Sequence, residues 1–348
     1  MTTMTFPEGK RFAFSIFDDT DVATLNSIRP LYDLFTDLNL KTTKTVWSLD
    51  FDGKSSFLGS DTLQNATYAA YMQELARRGF EIGFHGASME SSIRLHVERS
   101  LDIYRETFGE PPSIYAAHSH NRDNLYWGAA RFSSRLWRAI YTRLNKEPAD
   151  YFQGHDYKSP YFWGDLAKQH IKHMRSFTFS DVNLLNLKQP LVYKSAATPW
   201  INRWFLTCDA DNVEEFNALL NPKNQEKLES EGGICIISTH LGKGFVDKNG
   251  VNPKTKHLLT QLSRRNGWFA PVSDILNHYV DQKGLCQISK WRLFLLEAQW
   301  LLDSVRRRLN AKDYTATETE FLLENLQTQA RISTTTAPAK GQTEKTPT

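Results

Sequence analysis

Two adjacent carboxylates, Asp18 and Asp19, follow the apolar run that starts at Phe12, in Phe12-Ala-Phe-Ser-Ile-Phe-Asp-Asp-Thr-Asp21. Consecutive residues of a strand face opposite sides, so a carboxylate pair at the end of a buried strand sends its two side chains in different directions. One can hold a metal ion while the other handles a proton. Two further apolar runs end in histidine, Gly79-Phe-Glu-Ile-Gly-Phe-His85 and Ile234-Cys-Ile-Ile-Ser-Thr-His240. A fourth, Tyr115-Ala-Ala-His-Ser-His-Asn121, places His118 and His120 two apart, a spacing that shares one face of a strand.

These tips must be held by a repeating scaffold. Short apolar or β-branched runs recur at 11–17, 43–49, 80–85, 113–118, 174–179, 203–208, 234–239 and 268–272, with helical stretches between them. Residues 63–78 carry Tyr68, Tyr71, Met72 and Leu75 at helical spacing and end at Gly79, a suitable C-cap. Residues 91–108 repeat the pattern with Ile93, Val97, Leu101 and Tyr104, and Gly109-Glu-Pro-Pro112 stops that helix. The expected fold is α/β, a distorted (β/α) barrel of seven or eight strands spanning residues 1–282, with the chemistry at the carboxyl strand tips. A C-terminal helical extension is expected over 283–329 and a disordered tail over 330–348. The helix at 289–309 bears a stripe of Trp291, Phe294, Leu295, Ala298, Leu301, Leu302 and Val305 before Arg306-Arg-Arg308. Its candidate partners are the barrel, a second copy of the chain, or a membrane surface.

Composition excludes several classes. The 348 residues hold 42 Lys and Arg against 39 Asp and Glu, scattered along the chain, so there is no nucleic-acid footprint. No run approaches the 18 or so apolar residues of a transmembrane helix. Cys208, Cys235 and Cys286 lack metal-ligand spacing, and the first ten residues show no basic start followed by an apolar core, so a cytoplasmic location is expected.

The Phe-Asp-Asp run, the strand ending in His85 and the run Ser238-Thr-His-Leu-Gly-Lys-Gly-Phe245 resemble motifs of the polysaccharide deacetylase family, carbohydrate esterase family four. Gly267-Trp-Phe-Ala-Pro-Val-Ser-Asp274 resembles the strand and helix that end such barrels, so the resemblance spans about residues 10–280. It implies a divalent metal, usually zinc, held by Asp19 and His85, with Asp18 as general base and His240 as general acid. The family's second motif carries another His four residues after the first. Here Met89 stands in that place, and a thioether is a poor zinc ligand among oxygens and imidazoles. His118, with His120 as alternate, is taken as the replacement. The family's third-motif Arg is absent from Ala116-Ala-His118, Arg175 is the substitute, and the fourth motif is loosely matched around Asp181. Arg175, Trp163 and Lys243 are read as substrate contacts, an aromatic ring for stacking on sugar and a cation for an anionic group.

The function implied is metal-dependent hydrolysis of a non-peptide amide or ester bond in a carbohydrate or acetylated small molecule, foremost sugar deacetylation in surface polysaccharide metabolism. Two alternatives stand beside it. One is a catalytically degenerate carbohydrate-binding or assembly protein on the same barrel, since two motif residues are missing; the other is an amidohydrolase of a small nitrogen compound.

Overall fold

The computed structural model describes residues 4–51, 60–146, 148 and 150–310. Twelve strands form, β1 (Phe12–Asp18), β2 (Thr43–Val46), β3 (Glu81–Phe84), β4 (Ile114–Tyr115), β5 (His173–Phe179), β6 (Val192–Lys194), β7 (Trp204–Asp209), β8 (Ile234–Thr239), β9 (Val246–Asp247), β10 (Gly250–Val251), β11 (Gly267–Phe269) and β12 (Cys286–Gln287). Seven of them close on one another in the order β1-β2-β3-β4-β5-β7-β8, all parallel, and β8 returns to β1 through six register pairs from Ala13↔Ile234 to Asp18↔Thr239. The barrel therefore has seven strands. β11 lies outside the ring, pairing only with Phe12–Phe14 at the start of β1, and β6 adds antiparallel to β7 with β12 beside it.

Among the described residues ten α-helices lie between and after the strands, α1 (Leu25–Asp37), α2 (Ala66–Arg77), α3 (Arg94–Phe108), α4 (Arg135–Asn145), α5 (Gly164–His170), α6 (Val213–Leu219), α7 (Pro222–Glu231), α8 (Pro253–Ser263), α9 (Val272–Lys283) and α10 (Lys290–Asn310). Local chemistry sets their ends. Thr24 and Ser27 form a reciprocal capping box at the start of α1, and Gly109 closes α3 in the left-handed conformation at φ 84°. All seven residues of β1 are buried, as the central strand of such a barrel must be.

α10 packs on the barrel, through only part of the stripe read from its sequence: Phe294 meets Trp137 at 5.0 Å between ring centres and Leu301 lies half-buried against the core. Leu293, Leu296, Glu297 and Trp300 are its buried positions, spaced one helical face apart, and Trp300 meets Phe132 and Phe177 at 5.7 and 5.3 Å between ring centres. Trp291, Leu295, Leu302 and Val305 are exposed. Residues 311–329 of the expected extension and the expected tail at 330–348 lie outside the described residues. No helix among the described residues is long and apolar enough to cross a membrane.

Candidate active site

Asp18 and Asp19 diverge as neighbouring strand residues must. Asp18 faces α1 and β2, fully buried: its Oδ2 accepts from the Tyr32 hydroxyl at 2.9 Å and pairs with Lys44 Nζ at 3.2 Å, and its Oδ1 accepts from the Leu241 N–H at 3.0 Å. Burial pushes its pKa up, against the pull of Lys44, Leu241 and Tyr32. This corrects the assignment of Asp18 as base, because its oxygens are engaged in joining β1 to β2, α1 and the turn after β8.

Asp19 faces the barrel interior. Arg175 of β5 donates from Nη1 to Asp19 Oδ2 at 2.5 Å and to Ser238 Oγ, and Nη2 reaches the Ala117 carbonyl at 3.5 Å. Arg175 thus grips Asp19 rather than Asp18. It is a positioning contact rather than the substrate contact first assigned. Asp19 Oδ1 is buried and has no hydrogen-bond partner among the described residues.

Three imidazoles gather around Asp21, three residues beyond Asp18. His85 Nε2 lies 3.2 Å and His118 Nε2 3.6 Å from Asp21 Oδ1, while His240 Nε2 lies 3.1 Å from Oδ2. Each arrives from a carboxyl strand tip: β3 for His85, β4 for His118, β8 for His240. Val22 sits in the left-handed region at φ 61°, a costly conformation for a β-branched residue, directly after Asp21. A Cβ on Gly242 would come within 2.5 Å of the Val22 carbonyl, so glycine there lets the His240 turn close onto the Asp21 loop.

Hydrogen bonding assigns the imidazole protons. Thr45 Oγ1 donates to the Asp18 carbonyl at 2.9 Å, so it accepts from His85 Nδ1 at 3.2 Å. Asn121 donates its amide to the Ser88 carbonyl at 2.9 Å and presents Oδ1 to His118 Nδ1 at 3.2 Å. Both histidines therefore carry a proton on Nδ1 and turn Nε2 towards Asp21. Burial lowers the His85 pKa, more than Asp21 raises it, which keeps that ring neutral. Trp47 walls the pair, edge-on to His85 at 5.3 Å and to His118 at 5.4 Å.

Asp211 engages the third imidazole on its far side. His240 Nδ1 lies 3.0 Å from Asp211 Oδ1 and 2.9 Å from the Asp211 carbonyl, and Lys243 Nζ holds the same carboxylate at 3.1 and 3.2 Å. Burial and Lys243 lower the His240 pKa, but Asp211 and Asp21 outweigh them and bring it up to about 10. Burial works against Asp211 ionising, yet His240 and Lys243 hold its pKa well below the usual carboxylate range. Asp181, the loose match to the fourth motif, instead pairs with Lys227 at 3.1 Å on the partly exposed outside.

Three further assignments are corrected by placement. Lys243 is 2 % exposed and committed to Asp211, so it orients the site rather than meeting substrate. Trp163 is 1 % exposed, donates to the Asp123 carbonyl at 2.6 Å and packs edge-on to Tyr115, so it is core. His120, the alternate to His118, is exposed, with its ring 5.9 Å from that of the buried His118.

Among the described residues, no group of three His, Cys, Asp or Glu is placed to hold a metal ion as the side chains stand. The donor chemistry of Asp21, His85 and His118 nevertheless fits a divalent ion. Tetrahedral zinc with bonds of 2.0–2.2 Å sets its ligand atoms about 3.3–3.6 Å apart. The two imidazole Nε2 atoms lie 3.2 and 3.6 Å from one carboxylate oxygen, separations close to that edge. Asp19, held by Arg175, is not one of the three.

No family profile matches the sequence, and no curated protein does. Several solved structures are similar. Puue allantoinase aligns at 11 % identity with a TM-score of 0.44, covering 80 % of this chain and 93 % of that one. A probable polysaccharide deacetylase from Pseudomonas aeruginosa PAO1 aligns at 13 % with a TM-score of 0.43, covering 80 % and 94 %. A family 4 acetyl xylan esterase from Clostridium thermocellum aligns at 12 % with a TM-score of 0.37, covering 79 % and 92 %. The chain is similar to polysaccharide deacetylases. At such identities its chemistry has to be argued from the site itself.

Proposed function

We propose that the protein is a metal-dependent hydrolase of non-peptide amide or ester bonds, acting on acetylated sugars in surface polysaccharide metabolism. The observation that carries this reading is the convergence of His85 and His118 Nε2 on Asp21 beside an Arg-held Asp19. Asp21, His85 and His118 would hold the ion, zinc by its ligand set of one oxygen and two nitrogens. When bound, such an ion acidifies water and polarises a carbonyl.

The chain's own residues handle the protons. Asp19 Oδ1, unpartnered and buried, takes the proton from the attacking water, while Arg175 fixes the other oxygen so that the carboxylate cannot rotate. His240, kept protonated by Asp211 and Asp21, delivers a proton from Nε2 to the leaving amine or alkoxide. Lys243 keeps Asp211 ionised so that it can hold that imidazolium. Trp47 shields one side of the cluster from water.

The test is elemental analysis of the purified protein together with acetate release from N-acetylated and O-acetylated sugars. Near-stoichiometric metal and acetate release that a chelator stops are expected. A metal-free protein that neither gains zinc on reconstitution nor releases acetate would refute the proposal.

A further inference from the structure

α4 and α10 run side by side in the same direction. Trp137 meets Phe294 at 5.0 Å and Tyr141 meets Trp300 at 6.2 Å between ring centres, and Arg308 donates from Nη2 to Asn145 Oδ1 at 2.7 Å. At the α-helical repeat, Trp291, Leu295, Leu302, Val305 and Leu309 fall within about 40° of one line along α10. That line lies opposite the buried Leu293, Leu296 and Trp300, and all five side chains are exposed, Trp291 at 68 % and Leu309 at 80 %. Leu136, Ile140 and Leu144 make the corresponding line on α4, with Leu136 and Leu144 exposed. On each helix the contact with its neighbour sits about a quarter turn from this line. For two parallel right-handed helices, that arrangement turns both apolar lines to the same side, away from the barrel.

The charges around this face have one sign. α4 carries Arg135, Arg138 and Arg143 and no acidic residue, and α10 carries only two acidic residues, Glu297 and Asp303. Glu297 is buried on the barrel side, accepting from the Ser133 N–H and hydroxyl at 2.6 and 2.7 Å. Asp303 turns to Ser180, accepting from its N–H and hydroxyl at 3.1 and 2.6 Å, and pairs with Arg307 Nε at 3.2 Å. Arg143, Lys290, Arg292, Arg306 and Arg308 are exposed, and no exposed carboxylate on either helix answers them.

We infer that this face docks on an anionic lipid surface, with the two apolar lines entering the boundary between headgroups and acyl chains and Arg143, Arg292 and Arg306 on the headgroups. A helix face with large apolar side chains, a tryptophan and only basic flanks is the make-up of an interfacial helix, and each cation adds attraction to acidic lipid. A second copy of the chain fits less well. Antiparallel pairing sets the Lys290–Arg292 end of α10 against the Arg306–Arg308 end of its copy, and parallel pairing sets each basic end on itself, with no exposed carboxylate to offset the repulsion. Two lines side by side also make a broad plane, whereas a helix pair needs one narrow seam. None of these residues belongs to the candidate active site, so the inference is independent of the hydrolase reading.

The test is co-sedimentation of the full chain with phosphatidylcholine vesicles, with and without phosphatidylglycerol. Binding to the phosphatidylglycerol vesicles is expected, about tenfold weaker to phosphatidylcholine alone and falling as salt is raised. Leu302→Asp and Arg306→Glu should each weaken it by about tenfold at an unchanged melting temperature, since both side chains are exposed. No co-sedimentation, equal binding to the two vesicles, or wild-type binding in both variants would overturn the assignment. A dimer in solution that Leu302→Asp dissociates, with no binding to either vesicle, would also overturn it and give the face to a second copy.

Discussion

Arg175 and Asp19 meet inside the barrel across 156 residues of sequence, with Nη1 2.5 Å from Oδ2. The neighbouring carboxylate, Asp18, pairs on the opposite side of β1 with Lys44 at 3.2 Å. That alternation moves every role along the strand. Asp18 joins the framework, Asp19 faces the cleft, and Asp21, past the strand end, gathers the histidines.

The two adjacent carboxylates should separate by phenotype. Asp19→Asn is expected to lower the turnover of the folded protein by about 10² to 10⁴, the usual loss of a general base, with metal content retained, and it also lowers the melting temperature because Arg175 is left buried without its counter-charge. Asp18→Asn should instead leave Lys44 without its counter-charge in a fully buried place and destabilise the fold by about 3–5 kcal/mol. Turnover on an acetylated substrate and thermal melts of both variants check this; a wild-type melt for Asp18→Asn would contradict the framework role.

Metal analysis distinguishes the proposed ligands from their neighbours. Asp21→Ala, His85→Ala and His118→Ala should each reduce bound zinc after dialysis against a weak chelator, whereas His120→Ala and Asp19→Asn should keep it. Zinc retained in Asp21→Ala would remove that residue from the ligand set.

The buried face of α10 makes a stability prediction. Leu296→Ala should cost about 2–5 kcal/mol, because that side chain is fully buried and its removal leaves a cavity. Leu302→Ala, at 61 % exposed, should change stability by less than about 0.5 kcal/mol. Urea unfolding of the two variants measures both, and similar losses would mean that α10 sits differently on the barrel.

Much of the scaffold was legible because strand and helix periodicities are local properties. The runs 11–17, 43–49, 80–85 and 234–239 overlap β1, β2, β3 and β8, and three strand-end histidines did fall at one rim. The pair His118 and His120 was legible as two residues of one run beyond β4, but not which of them is buried. What failed depends on pairing between distant elements. Whether Asp18 or Asp19 faces inward is fixed by Tyr32, Lys44 and Arg175, none of them near in sequence. Asp211 follows β7 and is recognisable only once His240 is seen against it. Asp21 stood inside the motif as quoted, and a count of carboxylates up to the first turn, rather than the adjacent pair alone, would have included it. On α10 the apolar residues are too many to define one face, so Trp300 and the polar Glu297 on the buried side could not be told from composition.

His173 gives a pH dependence that is separate from the hydrolytic chemistry. It starts β5, is fully buried, and holds only Asn277 Oδ1 at 3.2 Å, with Nδ1 lacking a partner among the described residues. Burial brings its pKa down to about 3, with Arg203 and Lys172 adding to the effect and the Asn277 hydrogen bond opposing it. The unfolded chain protonates near pH 6.5, so between pH 6.5 and 3 it binds a proton that the folded state refuses. The stability associated with the neutral ring is therefore complete above about pH 6.5 and is lost as the pH falls towards 3. From pH 7 to pH 5 this one group should take away about 2 kcal/mol. His173→Gln, which has no titrating ring, should lose that much less over the same interval when urea unfolding is compared at the two pH values. Parallel losses in the two proteins would show that the folded His173 accepts its proton as readily as the unfolded one does.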